Sequence, residues 1–283
     1  MLFGLHVSIG KGFAGAVQAA EKLTCESVQI FVGNPRGWAR KPLDEKTVTK
    51  FKQVLKDSVI RKVAVHLSYL PNPASPKTEL YEKSVLAMAE DYQRAVRLGA
   101  DYFVVHPGAA GAQEKEEAIL RVAKGIKTVL SEIRGETLFL LENQAGGGSE
   151  LAGDLKELGY ILEAVGEEDR TGICFDTCHA FAAGYQLRTE EGVEEIISEL
   201  DRAVGLKRLH LLHLNDSIGE RGSHRDHHTH IGEGQIGREG FKLLINDPAL
   251  TGKVGVLETP RSSDQDDLQN LQVIRGLLTG GQR

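Results

Sequence analysis

Eight short apolar runs recur along the chain with longer amphipathic stretches between them, and this alternation constrains the fold more than any other feature. The runs have five to seven residues and are rich in Val, Ile, Leu and Phe: Leu2–Val7, Ser27–Val32, Lys62–Leu67, Asp101–His106, Thr137–Glu142, Gly172–Asp176, Arg208–Leu214 and Val254–Glu258. Such runs are typical of strands buried in a parallel sheet. The stretches with helical spacing are 44–60, 80–98, 114–133, 150–165, 190–204, 237–246 and 264–278.

Strand–helix alternation repeated eight times predicts an α/β fold, a single (β/α)₈ TIM barrel with parallel strands and its active site at their carboxyl ends. No linker or composition shift divides the 283 residues, so we expect one domain over residues 1–283. A doubly wound open sheet is the structural alternative. The segment HVSIGKGFAG after the first run lacks the glycine spacing of a dinucleotide-binding turn, which disfavours that alternative.

The composition excludes few classes of function. A formal charge of −6 argues against a nucleic-acid partner, but bound divalent cations would offset it. No apolar run is long enough to span a membrane, so we expect no membrane association. The three cysteines give no disulfide framework, which favours a location in the reducing cytoplasm. The sequence has no surplus of apolar residues that would indicate a partner subunit, so we expect a monomer.

Six of the eight runs end on, or next to, a residue type that binds metals. These residues are His66, His106, Glu142, Asp176 (followed by His179), His213 and Glu258. The residues two positions earlier should share the inward face of each strand, and all are small or apolar: Ala64, Val104, Leu140, Cys174, Leu211 and Val256. The pattern therefore predicts a filled barrel interior beneath a polar rim.

One such histidine or carboxylate is usually a structural residue, but six on one rim need another explanation. Without a cation, clustered carboxylates would repel one another or lose their charge. Imidazole and carboxylate donors without thiolate suit Zn²⁺ or Mn²⁺ in an open catalytic site. The sequence therefore predicts a metal-dependent hydrolase.

Several other candidates stay open at this point. The loop after the seventh run is either solvated or supplies further ligands, and it contains His224, Asp226, His227, His228 and His230. Cys174 and Cys178 flank Asp176, but we expect both to be small buried residues. We expect His6 to be hydrogen-bonded at the rim. His210 lies three positions before His213, and because side chains alternate along a strand we expect it to face the helix layer.

Four segments carry a specific resemblance. They are LENQAGGG (141–148), GICFDTCHAFAAGY (172–185), and HLND (213–216) together with GSHRDHHTHIGEG (222–234). In these segments the chain resembles the endonuclease IV family of apurinic/apyrimidinic endonucleases, and the likeness runs from HVS at 6–8 to LETP at 257–260. It implies a barrel enzyme with three Zn²⁺ ions, Mn²⁺ being an alternative at some sites. It also implies cleavage of duplex DNA 5′ to abasic sites, leaving 3′-hydroxyl and 5′-deoxyribose phosphate ends, and removal of 3′-blocking groups.

The resemblance also implies roles for individual residues. His66 and His106 would bind one zinc, and Glu142 would bridge it to a second and orient the attacking water. Asp176, His213 and Glu258 would complete the second site, while His179, Asp226 and His228 would hold the third. His224, His227 and His230 are then not ligands.

Arg36, Tyr69 and Leu70 match residues that the family inserts into the minor groove, where a cation, a ring and apolar bulk suit unstacked bases. Two departures bear on DNA affinity: Ile218 stands where the family usually has Lys, and Gly33 and Gly37 stand where relatives carry longer polar side chains.

Two alternatives remain. A metal-dependent barrel sugar isomerase or epimerase would share the strand-end ligands, but it has no use for the Asp226–His228 cluster or for Arg36 and Tyr69. A zinc-binding protein without catalysis would not need an open barrel mouth.

Overall fold

Eight parallel strands close into a barrel in the computed structural model, which describes residues 1–279. The barrel strands are β1 (Leu2–His6), β2 (Ser27–Phe31), β3 (Lys62–His66), β4 (Tyr102–Val105), β5 (Leu138–Glu142), β6 (Thr171–Asp176), β7 (Leu209–His213) and β10 (Val254–Leu257). Their order around the barrel is β1-β10-β7-β6-β5-β4-β3-β2. The predicted TIM barrel is confirmed. The last four residues of the domain predicted over 1–283 lie outside the described part of the chain.

The remaining elements surround the barrel and its mouth. The helices are α1 (Gly12–Lys22), α2 (Glu45–Lys56), α3 (Thr78–Leu98), α4 (Lys115–Glu132), α5 (Leu155–Val165), α6 (Thr177–Ala183), α7 (Glu190–Val204), α8 (Gly237–Ile245) and α9 (Asp264–Gly276), with 3₁₀ turns at Glu168–Arg170, Leu206–Arg208 and Pro248–Leu250. Strands β8 (Asp216–Ser217) and β9 (His228–Thr229) pair as a short antiparallel hairpin. Between residues 1 and 279, no helix combines the length and apolar character that a membrane crossing requires.

The core has two layers. One large cluster fills the space between sheet and helices, and a separate cluster fills the barrel interior. The interior cluster contains Ala64, Tyr102, Val104, Leu140, Cys174, Leu211, Val254 and Val256. All six interior residues predicted from strand alternation belong to it. The barrel is therefore packed below its mouth, and the polar residues that end the strands lie above this apolar layer.

The prediction that His210 faces the helix layer is wrong. Its ring lies 6.0 Å from that of Tyr102, which belongs to the interior cluster. The pairing of β6 with β7 shifts between Ile173 and Cys174, whose partners are Leu209 and Leu211, so His210 is an extra residue that breaks the alternation. Gly172 provides the space that the His210 ring occupies, because a Cβ at position 172 would lie 2.5 Å from this ring.

Candidate metal centre

Glu142 lies at the centre of the barrel mouth, where β5 ends, and is fully buried. Its Oε2 is 3.1 Å from Nε2 of both His66 and His106. Its Oε1 is 2.9 Å from Nδ1 of His213 and 3.4 Å from Nδ1 of His179. Burial disfavours the ionised carboxylate, but His213 and His106 outweigh burial and hold the pKa of Glu142 well below its usual range. Each oxygen of one ionised carboxylate thus faces a different set of imidazoles.

A second group of donors lies on the Oε1 side of Glu142. It comprises Glu142, Asp176, His213 and Glu258, with one donor atom of each within 4.8 Å of the others. Nδ1 of His213 is 3.3 Å from Oε2 of Glu258 and 3.9 Å from Oδ2 of Asp176. These four residues come from β5, β6, β7 and the end of β10, so the barrel closure itself brings them together.

A third group lies toward solvent, where the β8–β9 hairpin folds over the mouth. Nε2 of His179 is 3.2 Å from Oδ2 of Asp226, and Nε2 of His228 is 3.0 Å from Oδ1 of the same carboxylate. The nine residues predicted to bind metal therefore lie together in one cluster of overlapping donor groups, in which Glu142 is shared by His66 with His213 and by His106 with His179. Cys178 also lies within reach of Asp226 and His228, but burial raises the pKa of its thiol to about 12, which disfavours a thiolate ligand.

Backbone carbonyl groups orient three of the five imidazoles. The Nδ1 atoms of His66, His179 and His228 lie 2.7, 2.9 and 3.2 Å from carbonyl oxygens. An Nδ1–H that donates to a carbonyl leaves Nε2 with its lone pair free for a cation. His213 has the opposite arrangement, because its Nε2 lies 2.9 Å from the side-chain oxygen of Gln29 and its Nδ1 faces the carboxylates.

Several residues that orient the ligands were not predicted. Asn215 donates from Nδ2 to Oδ2 of Asp176 at 2.7 Å and accepts from the backbone N–H of Glu258 at 2.8 Å. Asn143 pairs with the backbone of Asp176 through both ends of its amide. Both asparagines sit within two residues of a strand-end ligand, in ENQ and HLND, and this position was the available signal. The predicted hydrogen bond of His6 at the rim is confirmed, with Nδ1 2.8 Å from Oε1 of Glu258.

The residues fit a divalent cation on two observations. Nε2 of His228 is buried and has no hydrogen-bond partner, although carboxylate oxygens surround it. In the metal-free cluster, Asp176 and Asp226 also overcome burial and raise the pKa of His179 well above its usual range. Cys174, with Glu142 and Glu258, does the same for the pKa of His213. A positive charge is therefore stabilised within the cluster, and the nitrogen and oxygen donors of the cluster suit Zn²⁺ or Mn²⁺.

The predicted DNA-facing residues border this centre. Tyr69 is 65% exposed and Leu70 is 36% exposed, and Arg36 is also exposed. The open cavity above the donors has a volume of about 570 Å³, and its wall includes Gly33, Pro35 and Tyr69. The backbone N–H of Tyr69 donates to the carbonyl oxygen of Pro35 at 3.1 Å, which joins the two loops.

The other histidines of the 213–234 loop point elsewhere. Nδ1 of His224 lies 3.0 Å from the carbonyl oxygen of Ala145, and Nδ1 of His230 lies 3.0 Å from the side-chain amide of Asn270. Within residues 1–279, neither they nor His227 belongs to a group of converging donors.

Comparison with known proteins agrees with this geometry. A family described as "Xylose isomerase-like TIM barrel" matches residues 17–277. The "Probable endonuclease 4" of Halothermothrix orenii is 43% identical over 276 residues, 97% of this chain and 99% of the relative. The "Apurinic-apyrimidinic endonuclease" of Caenorhabditis elegans is 38% identical over 94% of this chain and 68% of its own length.

The crystal structure of endonuclease IV from Thermus thermophilus superimposes with a TM-score of 0.88 at 39% identity, covering 98% of each chain. Identity of this level over nearly the whole length, on the same barrel, goes beyond a shared fold. The chain belongs to the endonuclease IV family of apurinic/apyrimidinic endonucleases.

Proposed function

We propose that the protein is a zinc-dependent DNA-repair endonuclease that hydrolyses the phosphodiester bond 5′ to an abasic site in duplex DNA. The products would be a 3′-hydroxyl and a 5′-deoxyribose phosphate, and the same centre would also remove 3′-blocking groups. The observation that carries the proposal is the cluster of overlapping donor groups around Glu142, at the floor of a mouth bordered by exposed Tyr69 and Leu70.

Three zinc ions per chain would be held by the predicted ligands. His66 and His106 would share Glu142 with the second set, Asp176, His213 and Glu258 would complete that set, and His179, Asp226 and His228 would form the third. Bound zinc supplies Lewis acidity and makes water a nucleophile near neutral pH. Mn²⁺ is the alternative at some positions, because the same donors suit it.

The protein's own groups orient the reaction. Ionised Glu142 can accept a hydrogen bond from the attacking water and so direct it at the phosphorus atom. Asn215 donates to Oδ2 of Asp176 and the backbone N–H of His179 donates to Oδ1, so both oxygens of this carboxylate are held in a defined orientation. Half-exposed Asp226 and His106, whose side chain is 32% exposed, lie nearest to solvent, where the scissile phosphate would enter.

Substrate selection follows from the shape of the mouth. An abasic nucleotide has no base to unpair, so rotating it into the cavity costs little free energy, and this favours abasic over intact DNA. Arg36, Tyr69 and Leu70 lie where a wedge could enter the minor groove and support the bent duplex. Three divalent cations would also offset the formal charge of −6, which removes the objection to a DNA partner.

The sugar isomerase or epimerase alternative shares the fold, as the description of the matching family indicates. It does not account for the Asp226–His228 pair or for the exposed Tyr69 beside the mouth. A non-catalytic zinc protein would not need the open cavity. The expected monomeric state and cytoplasmic location stay predictions. The three unpaired, buried cysteines support the prediction of a cytoplasmic location.

The test is to incubate the purified protein with a labelled duplex that carries one abasic site and with the matched intact duplex, while metal per chain is measured by mass spectrometry. Cleavage only of the abasic strand, on the 5′ side, with close to three zinc ions per chain, is expected. A duplex with a 3′-phosphate end tests removal of blocking groups. One or two metals per chain, no strand cleavage and turnover of a ketose would overturn the proposal.

A further inference from the structure

Arg40 and Asp91 form a buried ion pair beside the barrel mouth. Nε of Arg40 is 2.7 Å from Oδ1 of Asp91 and Nη2 is 2.8 Å from Oδ2, so the contact is bidentate. The two side chains are 3% and 2% exposed. Asp91 lies on α3, whereas Arg40 belongs to the loop after β2, so the pair fixes this loop to a rigid helix.

The rest of the Arg40 guanidinium reaches both segments that carry the DNA-facing residues. Nη1 donates to the carbonyl oxygen of Gly37, next to Arg36, at 2.6 Å. Nη2 donates to the hydroxyl of Ser68, next to Tyr69, at 2.7 Å. One buried cation therefore connects the two segments to each other and to α3.

Gly33 leaves the space that this arrangement needs. A Cβ at position 33 would lie 2.5 Å from Cδ of Arg40 and 2.8 Å from its Nε. A longer side chain at position 33 could not coexist with Arg40 in its present position. Glycine at position 33 is therefore part of the arrangement that accommodates the buried ion pair.

Helix α3 also holds the ends of the same loop. Arg94 donates to the carbonyl oxygens of Val32, at 3.2 Å, and of Lys41, and Arg97 donates to that of Leu43 at 2.7 Å. These contacts fix where the loop leaves and rejoins the barrel. Arg40 is the contact that sets its central part, where Arg36 lies.

We propose that Arg40 and Asp91 are positioning residues that hold Arg36 and Tyr69 in their DNA-inserting arrangement before DNA binds. This inference rests on the proposed function. Segments ordered in advance lose less conformational entropy on association, so the pair should strengthen DNA binding without touching the reacting phosphate. The ion pair requires glycine at position 33, because any side chain there would displace Arg40.

Two variants test the inference in different ways. Arg40→Met with Asp91→Leu removes both charges together, because removal of one alone would leave an unpaired buried charge and risk unfolding. Gly33→Ala keeps both charges and displaces Arg40, at the cost of one added methyl group in the wall of the cavity. Lys62→Met is the matched control, since it removes an ion pair with Asp101 (Nζ to Oδ1, 2.6 Å) at the opposite end of the barrel.

The zinc-loaded full chain is used for three measurements on each variant. Single-turnover cleavage of a duplex with a tetrahydrofuran abasic analogue gives the half-saturating protein concentration and the maximal rate. Mass spectrometry gives zinc per chain, and limited trypsin digestion gives the rate of cleavage after Arg36. In both test variants the half-saturating concentration should rise about tenfold, as expected when a few side chains must be ordered on binding, and cleavage after Arg36 should accelerate. Maximal rate and zinc content should match wild type, and Lys62→Met should change nothing.

Wild-type half-saturation and wild-type trypsin sensitivity in the double variant and in Gly33→Ala would overturn the inference. A large loss of maximal rate or of zinc would also overturn it, because the pair would then act on the metal centre. If the wild-type protein itself does not cleave the abasic duplex, the proposed function fails. Trypsin sensitivity then still decides whether the pair orders the loop.

Discussion

The side-chain oxygen of Gln29 accepts a hydrogen bond from Nε2 of His213 across the barrel, at 2.9 Å. Gln29 is fully buried on β2, a strand that carries no candidate ligand of its own. Its amide nitrogen donates to Oε1 of Glu258 at 2.6 Å. One amide therefore fixes the tautomer of a histidine and the orientation of a carboxylate in the same donor group.

Gln29→Met should weaken the metal site that contains His213. The substitution keeps the side-chain volume but removes both hydrogen bonds, so the His213 ring and the Glu258 carboxylate are free to reorient. Loss of such an orienting partner typically costs roughly 10- to 100-fold in metal affinity. The measurement is zinc retained per chain after dialysis against graded chelator concentrations.

Ser27→Ala is the matched control, because Ser27 is also buried on β2 and its hydroxyl donates to the carbonyl oxygen of Gly255, at 3.2 Å. It should retain zinc as wild type does. Equal retention in Gln29→Met and wild type would show that the amide does not orient the site.

Glu142→Ala and Arg36→Ala should separate catalysis from DNA binding. Glu142 belongs to three of the overlapping donor groups, so its loss should abolish cleavage and lower the zinc content while the exposed residues predicted to face DNA stay intact. Arg36 is exposed and outside the donor groups, so its loss should weaken binding of the abasic duplex and leave zinc content unchanged. Gel-shift affinity, single-turnover rate and metal analysis on both variants check this. The assigned roles would be contradicted by an equal loss of DNA binding in the two variants.

The sequence predicted the barrel and its interior well, because both depend on local patterns. Buried strands are short apolar runs, and alternation alone placed Leu140 and Leu211 inside. Helix α1 was not predicted, since the segment Gly12–Lys22 is mainly glycine and alanine with few large apolar residues. His210 was misplaced because a bulge depends on the pairing of two strands, which no single strand reveals.

Six of the nine candidate ligands were also predicted from the pattern, because a barrel brings all strand ends to one rim. His179, Asp226 and His228 were assigned only by the family resemblance. The residues that orient them were not. Gln29 and His213 are 184 positions apart, and only the closed barrel makes them neighbours. Asn215 likewise acts on a strand other than its own. The role of such residues depends on contacts that no pattern in one segment encodes.

The metal-free protein should become less stable as the pH rises, whereas metal binding should stabilise the protein more strongly at higher pH. In the metal-free protein burial opposes protonation of His228, but the adjacent carboxylates of Asp226 and Asp176 raise its pKa to about 9. A raised histidine pKa stabilises the fold fully below the ordinary value of 6.5, and this stabilisation is lost as the pH rises through about 9. Metal binding needs the unprotonated ring, so it strengthens over the same range.

The difference in melting temperature between zinc-loaded and chelator-treated protein should therefore widen from pH 6 to pH 9. Differential scanning fluorimetry across this range measures it. Asp226→Asn serves as the comparison, because it removes the partner that raises the His228 pKa and should flatten the decline of the metal-free protein. A gap that stays constant with pH would contradict the assignment of His228 as a ligand.

Ile218→Lys should strengthen DNA binding. Ile218 is 61% exposed, and its backbone N–H donates to the carbonyl oxygen of His227 beside the hairpin that carries His228. A lysine there would place a cation at the mouth, where the phosphate backbone would approach. One added phosphate contact should steepen the dependence of log affinity on log salt by about 1. Val59→Lys is the control, since Val59 is 58% exposed but precedes β3 at the other end of the barrel. Because both variants change the net charge equally, the same gain from each would mean that overall charge, not position 218, governs affinity for the abasic duplex.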